Sequence, residues 1–381
     1  MLKKSLPYIK EFTKRADMLL FSLCAVSSLL GLVLIASATA HLGTSQHVIV
    51  QFSALIIGFG LFALFTVIDI DILADKWAII FAFCMALLVI LQIFGQDDGT
   101  GNKSWLRFLG IGIQPSEVIK VAFIVLMGKH ISYLKEYKRL DHVFSIAQLL
   151  VHFGIFFGLI VIISSDLGSA LIFFSIFLIM LFFAGLKLYW FILGATAIAG
   201  VTPLLWTYFL RADQKLRIMA PYDITIDPLG TGVKWQNLQS KIALSSGRLT
   251  GTGLFNGPQT QSGATPEQHN DFIFAVIGEE LGMIGCCVTI ALLLAIIIRC
   301  VYIGINSRNT LSMLVCLGVA GMLFFQTFEN IGMCIGLTPV IGLTLPFFSY
   351  GGSSAFTLYA AIGLVSGVKY RPKPERFRKY G

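Results

Sequence analysis

The chain has 381 residues, of which 56% are hydrophobic and 13% charged, and its mean hydropathy is +0.82. Those figures exclude a soluble domain and predict an all-α polytopic membrane protein. A net charge of +8 does not point to nucleic acid, because the cations gather at the ends of apolar runs rather than on one amphipathic face.

Met1 to Arg15 carries Lys3, Lys4, Lys10, Lys14 and Arg15 ahead of an apolar run at 18–40. That run is too long for a cleaved signal segment, so it reads as a first spanning helix, cytoplasmic end first. Further runs at 48–68, 77–94, 114–128, 143–164, 167–185, 188–209, 272–298, 311–337 and 345–368 predict ten spans with both termini cytoplasmic. Nineteen of the 28 Lys and Arg fall in the predicted cytoplasmic segments, eight fall opposite and Lys120 lies inside a span, the asymmetry expected of this orientation. The outer segments are 41–47, 95–113, a tight turn near Asp166, 210–271 and 338–346. Without repeats or a soluble insert, residues 1–381 read as one membrane domain. It has a cytoplasmic N-terminus (1–17), one large extracytoplasmic loop between helices 7 and 8 (210–271) and a basic cytoplasmic tail (369–381). The seven cysteines, Cys24, Cys84, Cys286, Cys287, Cys300, Cys316 and Cys334, lack zinc or disulfide-framework spacing and read as buried thiols.

Polar constellations interrupt the apolar background near the predicted outer side. The first runs from Gly101-Asn102-Lys103-Ser104-Trp105-Leu106-Arg107 to Gln114-Pro115-Ser116-Glu117 and Lys120. Pro115 suits a first helical turn, and Glu117 with Lys120 forms an i, i+3 pair, either a structural ion pair or the lining of a polar cavity. At Ser164-Ser165-Asp166-Leu167-Gly168, Asp166 or Ser165 suits a helix cap. The 210–271 loop holds Arg211, Lys215 and Arg217, then Gln239-Ser240-Lys241, then Gly247, Gly251, Gly253 and Gly257, whose spacing fits no nucleotide motif. It reads as a flexible, substrate-embracing insertion. The stretch Asn330-Ile331-Gly332-Met333 to Ser353-Ser354 reads as close helix packing, with helix-start amides near Ser353 able to meet an anion.

The chain's organising stretch is His269-Asn270-Asp271-Phe272-Ile273-Phe274, continuing to Gly278-Glu279-Glu280-Leu281-Gly282. Asp271 would stand at a helix start. Glu279 and Glu280 would lie ~12 to 14 Å further along one continuous helix, in hydrocarbon, where carboxylates are usually functional. A helix N-terminus favours the charged carboxylate and desolvation opposes it, so the sequence leaves the sign of any Asp271 pKa shift open.

In their order, Gln114-Pro-Ser-Glu117, Asp166-Leu-Gly168, Gln239-Ser240, His269-Asn-Asp271-Phe-Ile-Phe-Ala, Gly278-Glu279-Glu280-Leu-Gly282 and Pro346-Phe-Phe-Ser-Tyr-Gly-Gly-Ser-Ser354 resemble the SEDS family (shape, elongation, division, sporulation), and its elongation branch more than its division branch. The resemblance implies a multi-pass protein of the bacterial cytoplasmic membrane. It implies a peptidoglycan glycosyltransferase that joins lipid II units into a growing glycan strand for elongation and cell shape. Undecaprenyl pyrophosphate would leave with inversion. It further implies a class B penicillin-binding protein and other elongation-complex membrane proteins as partners. Asp271 takes the catalytic role by that resemblance. The expected substrate-binding set is Lys103, Trp105, Arg107, Gln114, Glu117, Lys120, Gln239, Ser240, Lys241, His269, Ser353 and Ser354. Asp166, Glu279 and Glu280 are expected to be structural or to line a cavity. The family places a basic residue immediately before the tryptophan. Here Ser104 stands there, so Lys103 or Arg107 would supply the charge. No organic cofactor is expected, and a divalent cation, magnesium or manganese, could assist the cationic side chains at the pyrophosphate. A lipid II flippase and a non-catalytic division or sporulation scaffold remain the alternatives.

Overall fold

The computed structural model describes residues 10–97, 103–108, 111–223 and 225–371. Parts of the expected N-terminal segment and basic tail, and Gly101-Asn102, lie outside the described residues. The elements in chain order are α1 (Met18–Ala38), α2 (Gln46–Val67), α3 (Ile70–Asp75), α4 (Trp77–Phe94), β1 (Gln96–Asp97), β2 (Lys103–Phe108), β3 (Ile111–Ile113), α5 (Pro115–Tyr137), α6 (Val143–Ser164), α7 (Leu167–Ala184), α8 (Leu188–Leu204), α9 (Ala212–Met219), α10 (Trp235–Ser246), α11 (Pro258–Ser262), α12 (Ile273–Ile305), α13 (Thr310–Ile335) and α14 (Gly352–Tyr370). Among the described residues the ten long helices are α1, α2, α4 to α8 and α12 to α14, the architecture of a roughly ten-helix integral membrane protein.

Eight of these helices are long and apolar enough to cross a membrane by composition alone. The other two, α5 and α14, bury their polar residues against the bundle. On α5 these are Ser116, Glu117, Lys120 and Ser132, and on α14 Ser353, Ser354, Thr357 and Ser366. At the centre stands α13, packed against α5, α7, α12 and α14. Along α2 and α14 the backbones approach closely: a Cβ on Gly363 would come within 2.8 Å of the Phe62 carbonyl. By contrast α8 has no buried residue, and its apolar surface faces outward. Pro203 removes an amide donor near its end, and the chain continues as one π turn closed by Leu210 N donating to Leu205 O at 3.0 Å. At the end of the bundle remote from Asp271, the buried Asp17 carboxylate joins α1 to Arg299 of α12 at 2.6 Å and Lys369 of α14 at 3.1 Å.

The structure corrects several expectations. The 95–113 segment contains a small antiparallel sheet, order β1-β2-β3. The span expected at 114–128 continues as helix to Tyr137, and the one expected at 345–368 begins only at Gly352. Leu345 to Tyr350 is instead an irregular, packed turn in which Phe347 takes φ +67°. The large loop, expected to be flexible, contains α9, α10 and α11.

The most consequential correction concerns α12, which is broken at Gly282 (φ 68°, ψ −167°), a conformation open chiefly to glycine. Residues of the large loop satisfy the freed backbone groups. Thr252 N donates to Glu279 O at 2.9 Å, Gly253 N to Glu280 O at 3.0 Å, and Met283 N to Arg248 O at 2.9 Å. The first part of α12, Ile273 to Leu281, is therefore a short half-helix tied to the loop, not the start of an uninterrupted span.

Candidate active site

Asp271 occupies the turn just before α12. Its amide donates to Glu267 O at 3.1 Å, and the residue at the helix N-cap is Phe272, which makes no side-chain cap bond. Asp271 is therefore not the cap of α12, and no hydrogen bond reaches its carboxylate among the described residues. Asp271 is half-buried, and desolvation by the protein around it, reinforced by the charges of Glu267 and Asp166, raises its pKa to about 7. Desolvation thus outweighs the helix-end effect, and the group becomes a base matched to neutral pH. Next to it, burial lowers the pKa of His269 and keeps that ring neutral. His269, His47 and Tyr350 pack as one aromatic cluster, with ring centroids 4.9 to 5.5 Å apart.

Asp166 forms the second acidic point. Its Oδ1 accepts the Ser169 amide at 2.9 Å, capping α7, and its Oδ2 accepts Ser169 Oγ at 2.6 Å and Gln114 Nε2 at 3.2 Å. The Gln114 amide in turn donates to Ser353 Oγ at 3.3 Å, so the starts of α5, α7 and α14 meet here. The chain after α13 threads between the two acids. A Cβ on Gly342 would lie 3.4 Å from Asp271 Oδ2, and one on Gly168 would lie 2.7 Å from Ile341 O.

Two adjoining cavities run away from this point. The smaller, about 80 Å³, is lined by Ser165, Asp166, Gly168, Arg211, Gln214 and Arg217 among others, and the larger, about 210 Å³, by Arg217, Lys234, Asn237 and Lys241 among others. Arg217 and Val340 line both. The result is a groove with Asp166, Arg211 and Arg217 at one end and Arg217, Lys234 and Lys241 at the other, and Asp271 adjoins it through Gly342, next to the lining residue Ile341. Asn237 holds that end by donating to Met333 O at 2.6 Å, and Lys234 Nζ donates to Asp223 O at 2.7 Å. Gly336 (φ +77°) leaves room for Lys241, since a Cβ there would fall on its Nζ.

The family described as a cell cycle protein family (FtsW, RodA, SpoVE) matches residues 17–373. The chain belongs to that family, the SEDS proteins. Its relatives include the peptidoglycan glycosyltransferase MrdB of Escherichia coli (strain K12), 35% identical over 77% of this chain and 78% of that protein. Another is the probable peptidoglycan glycosyltransferase FtsW of Geobacter sulfurreducens (strain DL-1 / KN400), 31% identical over 96% and 98%. Among solved structures, the chain resembles one described under "Structural coordination of polymerization and crosslinking by a peptidoglycan synthase complex", with TM-score 0.78 and 26% identity over 96% of this chain and 99% of that chain. The fold also matches the Rod shape determining protein RodA of Thermus thermophilus, with TM-score 0.68 and 24% identity over 93% and 96%.

Not every residue expected at the SEDS site reaches the groove. Lys120 is sealed in the core, 0% exposed, with its Nζ 2.7 Å from Glu117 Oε1, so neither partner of that pair is open to a phosphate. Ser240 is likewise buried and donates to Cys334 O at 2.9 Å, tying α10 to α13, and Gln239 is buried beside it. Ser353 and Ser354 are buried at the start of α14. Lys103 and Arg107 are exposed on β2, and Trp105 between them packs on Gly112. Glu279 and Glu280 do not stand in hydrocarbon. Glu279 accepts the Gln259 and Thr260 amides, each at 2.8 Å, and Thr260 Oγ1 at 2.6 Å. Glu280 Oε1 accepts Ser37 Oγ at 2.6 Å and Gln261 Nε2 at 3.1 Å. Arg211, Arg217 and Lys234 are cationic groove residues that the site expected from sequence left out. Their only signal was a basic cluster in a long outer loop.

Proposed function

We propose that this SEDS protein, a peptidoglycan glycosyltransferase, polymerises lipid II with Asp271 as general base. The observation that carries this reading is a carboxylate with a pKa raised to about 7, free of hydrogen-bond donors among the described residues, against the Ile341–Gly342 segment that borders a groove lined by Arg217, Lys234 and Lys241. The acceptor sugar hydroxyl gives its proton to Asp271, and its oxygen bonds to the donor's anomeric carbon. The bond from that carbon to the pyrophosphate breaks, and undecaprenyl pyrophosphate leaves with inversion, as in inverting glycosyl transfer. A pyrophosphate needs charge neutralisation more than a proton, and Arg217, with a planar fork, and the point charges Lys234 and Lys241 supply it.

Among the described residues no group of three or more His, Cys, Asp or Glu is arranged to hold a metal ion. A magnesium or manganese ion assisting at the pyrophosphate would be held chiefly by the phosphates and water rather than by a protein cage.

The positive charge bias supports a cytoplasmic-membrane protein with both termini inside and the groove outside. A class B penicillin-binding protein is the partner proposed, and elongation the process. The test gives purified wild type and Asp271→Asn, each with that partner, lipid II in detergent, where transport between compartments is not required. Wild-type polymer with none from Asp271→Asn supports the reading. Equal polymer from both sinks the base assignment. No polymer from a wild type that moves lipid II across vesicles would make it a flippase.

A further inference from the structure

Three successive carbonyls in the Asp271 turn are each held by a donor from the segment α13 to α14. Tyr350 N donates to His269 O at 2.8 Å, and Ser349 Oγ donates to Asn270 O at 2.6 Å. Asn330 Nδ2 donates to Asp271 O at 2.7 Å. The other Asn330 N–H goes to Leu343 O at 2.6 Å, and Ser349 Oγ also accepts the Leu345 amide at 2.8 Å, so the grip ties the turn to the segment that threads past it.

Asn330 is 0% exposed, and its Oδ1 has no partner among the described residues. An asparagine facing two carbonyls must turn its amino group toward both, which fixes the amide orientation and abandons the oxygen. A buried polar atom left unpaired calls for an explanation. Packing alone would be served as well by an apolar side chain of the same shape. What the asparagine adds is a fixed distance between the Asp271 backbone and the 343–349 segment. The Asp271 carboxylate itself has no hydrogen bond to steady it among the described residues, so its direction depends on its backbone.

We propose that Asn330 and Ser349 are positioning residues that hold Asp271 in its reactive pose, a proposal that rests on Asp271 being the base. The acids facing Asp271 are Glu267 on its own turn and Asp166 at the start of α7, with neutral His269 beside it. Loosening the grip would let the carboxylate swing and admit water to it without altering the cationic groove.

The experiment measures steady-state polymerisation of lipid II, at several pH values, by the full chain with its partner. Asn330→Leu keeps the shape and removes both donors, and Ser349→Ala removes one hydroxyl that Ser349→Thr retains. A displacement of the order of 1 Å costs about 10²-fold. Asn330→Leu is expected to lower kcat by about 10- to 100-fold with KM for lipid II within about threefold. The rising limb of its pH-rate profile should move to lower pH as water reaches Asp271. Ser349→Ala should fall in the same way, and Ser349→Thr should recover most of the rate. Wild-type kcat in both donor-less variants overturns the proposal, as does a loss shared equally by Ser349→Ala and Ser349→Thr with an unmoved pH limb. If Asn330→Leu does not fold, the Ser349 pair decides. Asp271→Asn run alongside separates the two readings: full activity there removes the base assignment. An inactive Asp271→Asn beside fully active positioning variants removes only this inference.

Discussion

Asp271 and Glu279 stand eight positions apart on the same stretch, and the protein treats them in opposite ways. Glu279 is 0% exposed and saturated, with two backbone amides and the hydroxyls of Thr260 and Ser246 on its carboxylate. It marks the start of α11 and locks the large loop onto the half-helix. Asp271 receives no hydrogen bond on its carboxylate among the described residues, and burial beside two other acids raises its pKa. A buried carboxylate that is fully satisfied is architecture. One left without donors holds its proton near neutrality and can exchange it with a substrate.

The largest expected effect follows on the Asp271 side. Asp271→Asn should lower turnover by about 10³-fold, within the range for a lost general base, and leave the folded protein in place. Turnover within tenfold of wild type would erase the distinction between the two acids.

Next is the cationic end of the groove. Arg217→Ala should cost about 10²-fold in kcat/KM, similar to losing one preorganised donor to a developing charge. Arg217→Lys should recover only part, because a point charge cannot replace a fork. Full activity in Arg217→Ala would leave the groove without a role in holding pyrophosphate.

The third prediction concerns Glu279. Glu279→Gln leaves the Gln259 and Thr260 amides with a weaker acceptor and should destabilise the protein by about 2 kcal/mol, the scale of a lost charge-assisted bond. Thermal unfolding in detergent measures it. Turnover per folded molecule should stay within a few-fold of wild type, and a loss as deep as that of Asp271→Asn would assign chemistry to both acids.

The smallest effect is on stability and pH. Because the folded pKa of Asp271 is raised from 3.8 to about 7, the native state holds a proton that the unfolded chain releases earlier. The group's contribution to stability is therefore complete below about pH 4 and is lost as pH rises through about 7. Asp271→Asn removes the ionising group, so it should match wild type at low pH and be the more stable of the two proteins above pH 7. Equal stability of the two proteins at pH 5 and pH 8 would mean that burial does not act on this carboxylate.

Much of this was legible in the sequence, for identifiable reasons. Eight spans announced themselves by hydropathy, and Pro115 marked the first turn of α5. The ion pair at Glu117 and Lys120 followed from i, i+3 spacing, but whether it faced a cavity or the core depended on neighbours that spacing does not name. The break in α12 had a signal in Gly282, and its counterpart lay in the loop glycines. A Cβ on Gly247 would meet Gly278 O, and one on Gly251 would meet Glu280 O, so these glycines serve close backbone approach. Their use was invisible without knowing that the loop folds back on the half-helix. Arg217 and Lys234 belong to no motif, and only the third dimension brings them to Lys241.

The role of Asp271 as general base is tested most directly by the pH-rate profile of lipid II polymerisation, with wild type and Asp271→Asn compared in the same preparation. The wild-type rate should climb as pH rises through about 7, where Asp271 loses its proton, and the residual rate of Asp271→Asn should lack that limb. A limb of the same position and height in both proteins would contradict that role.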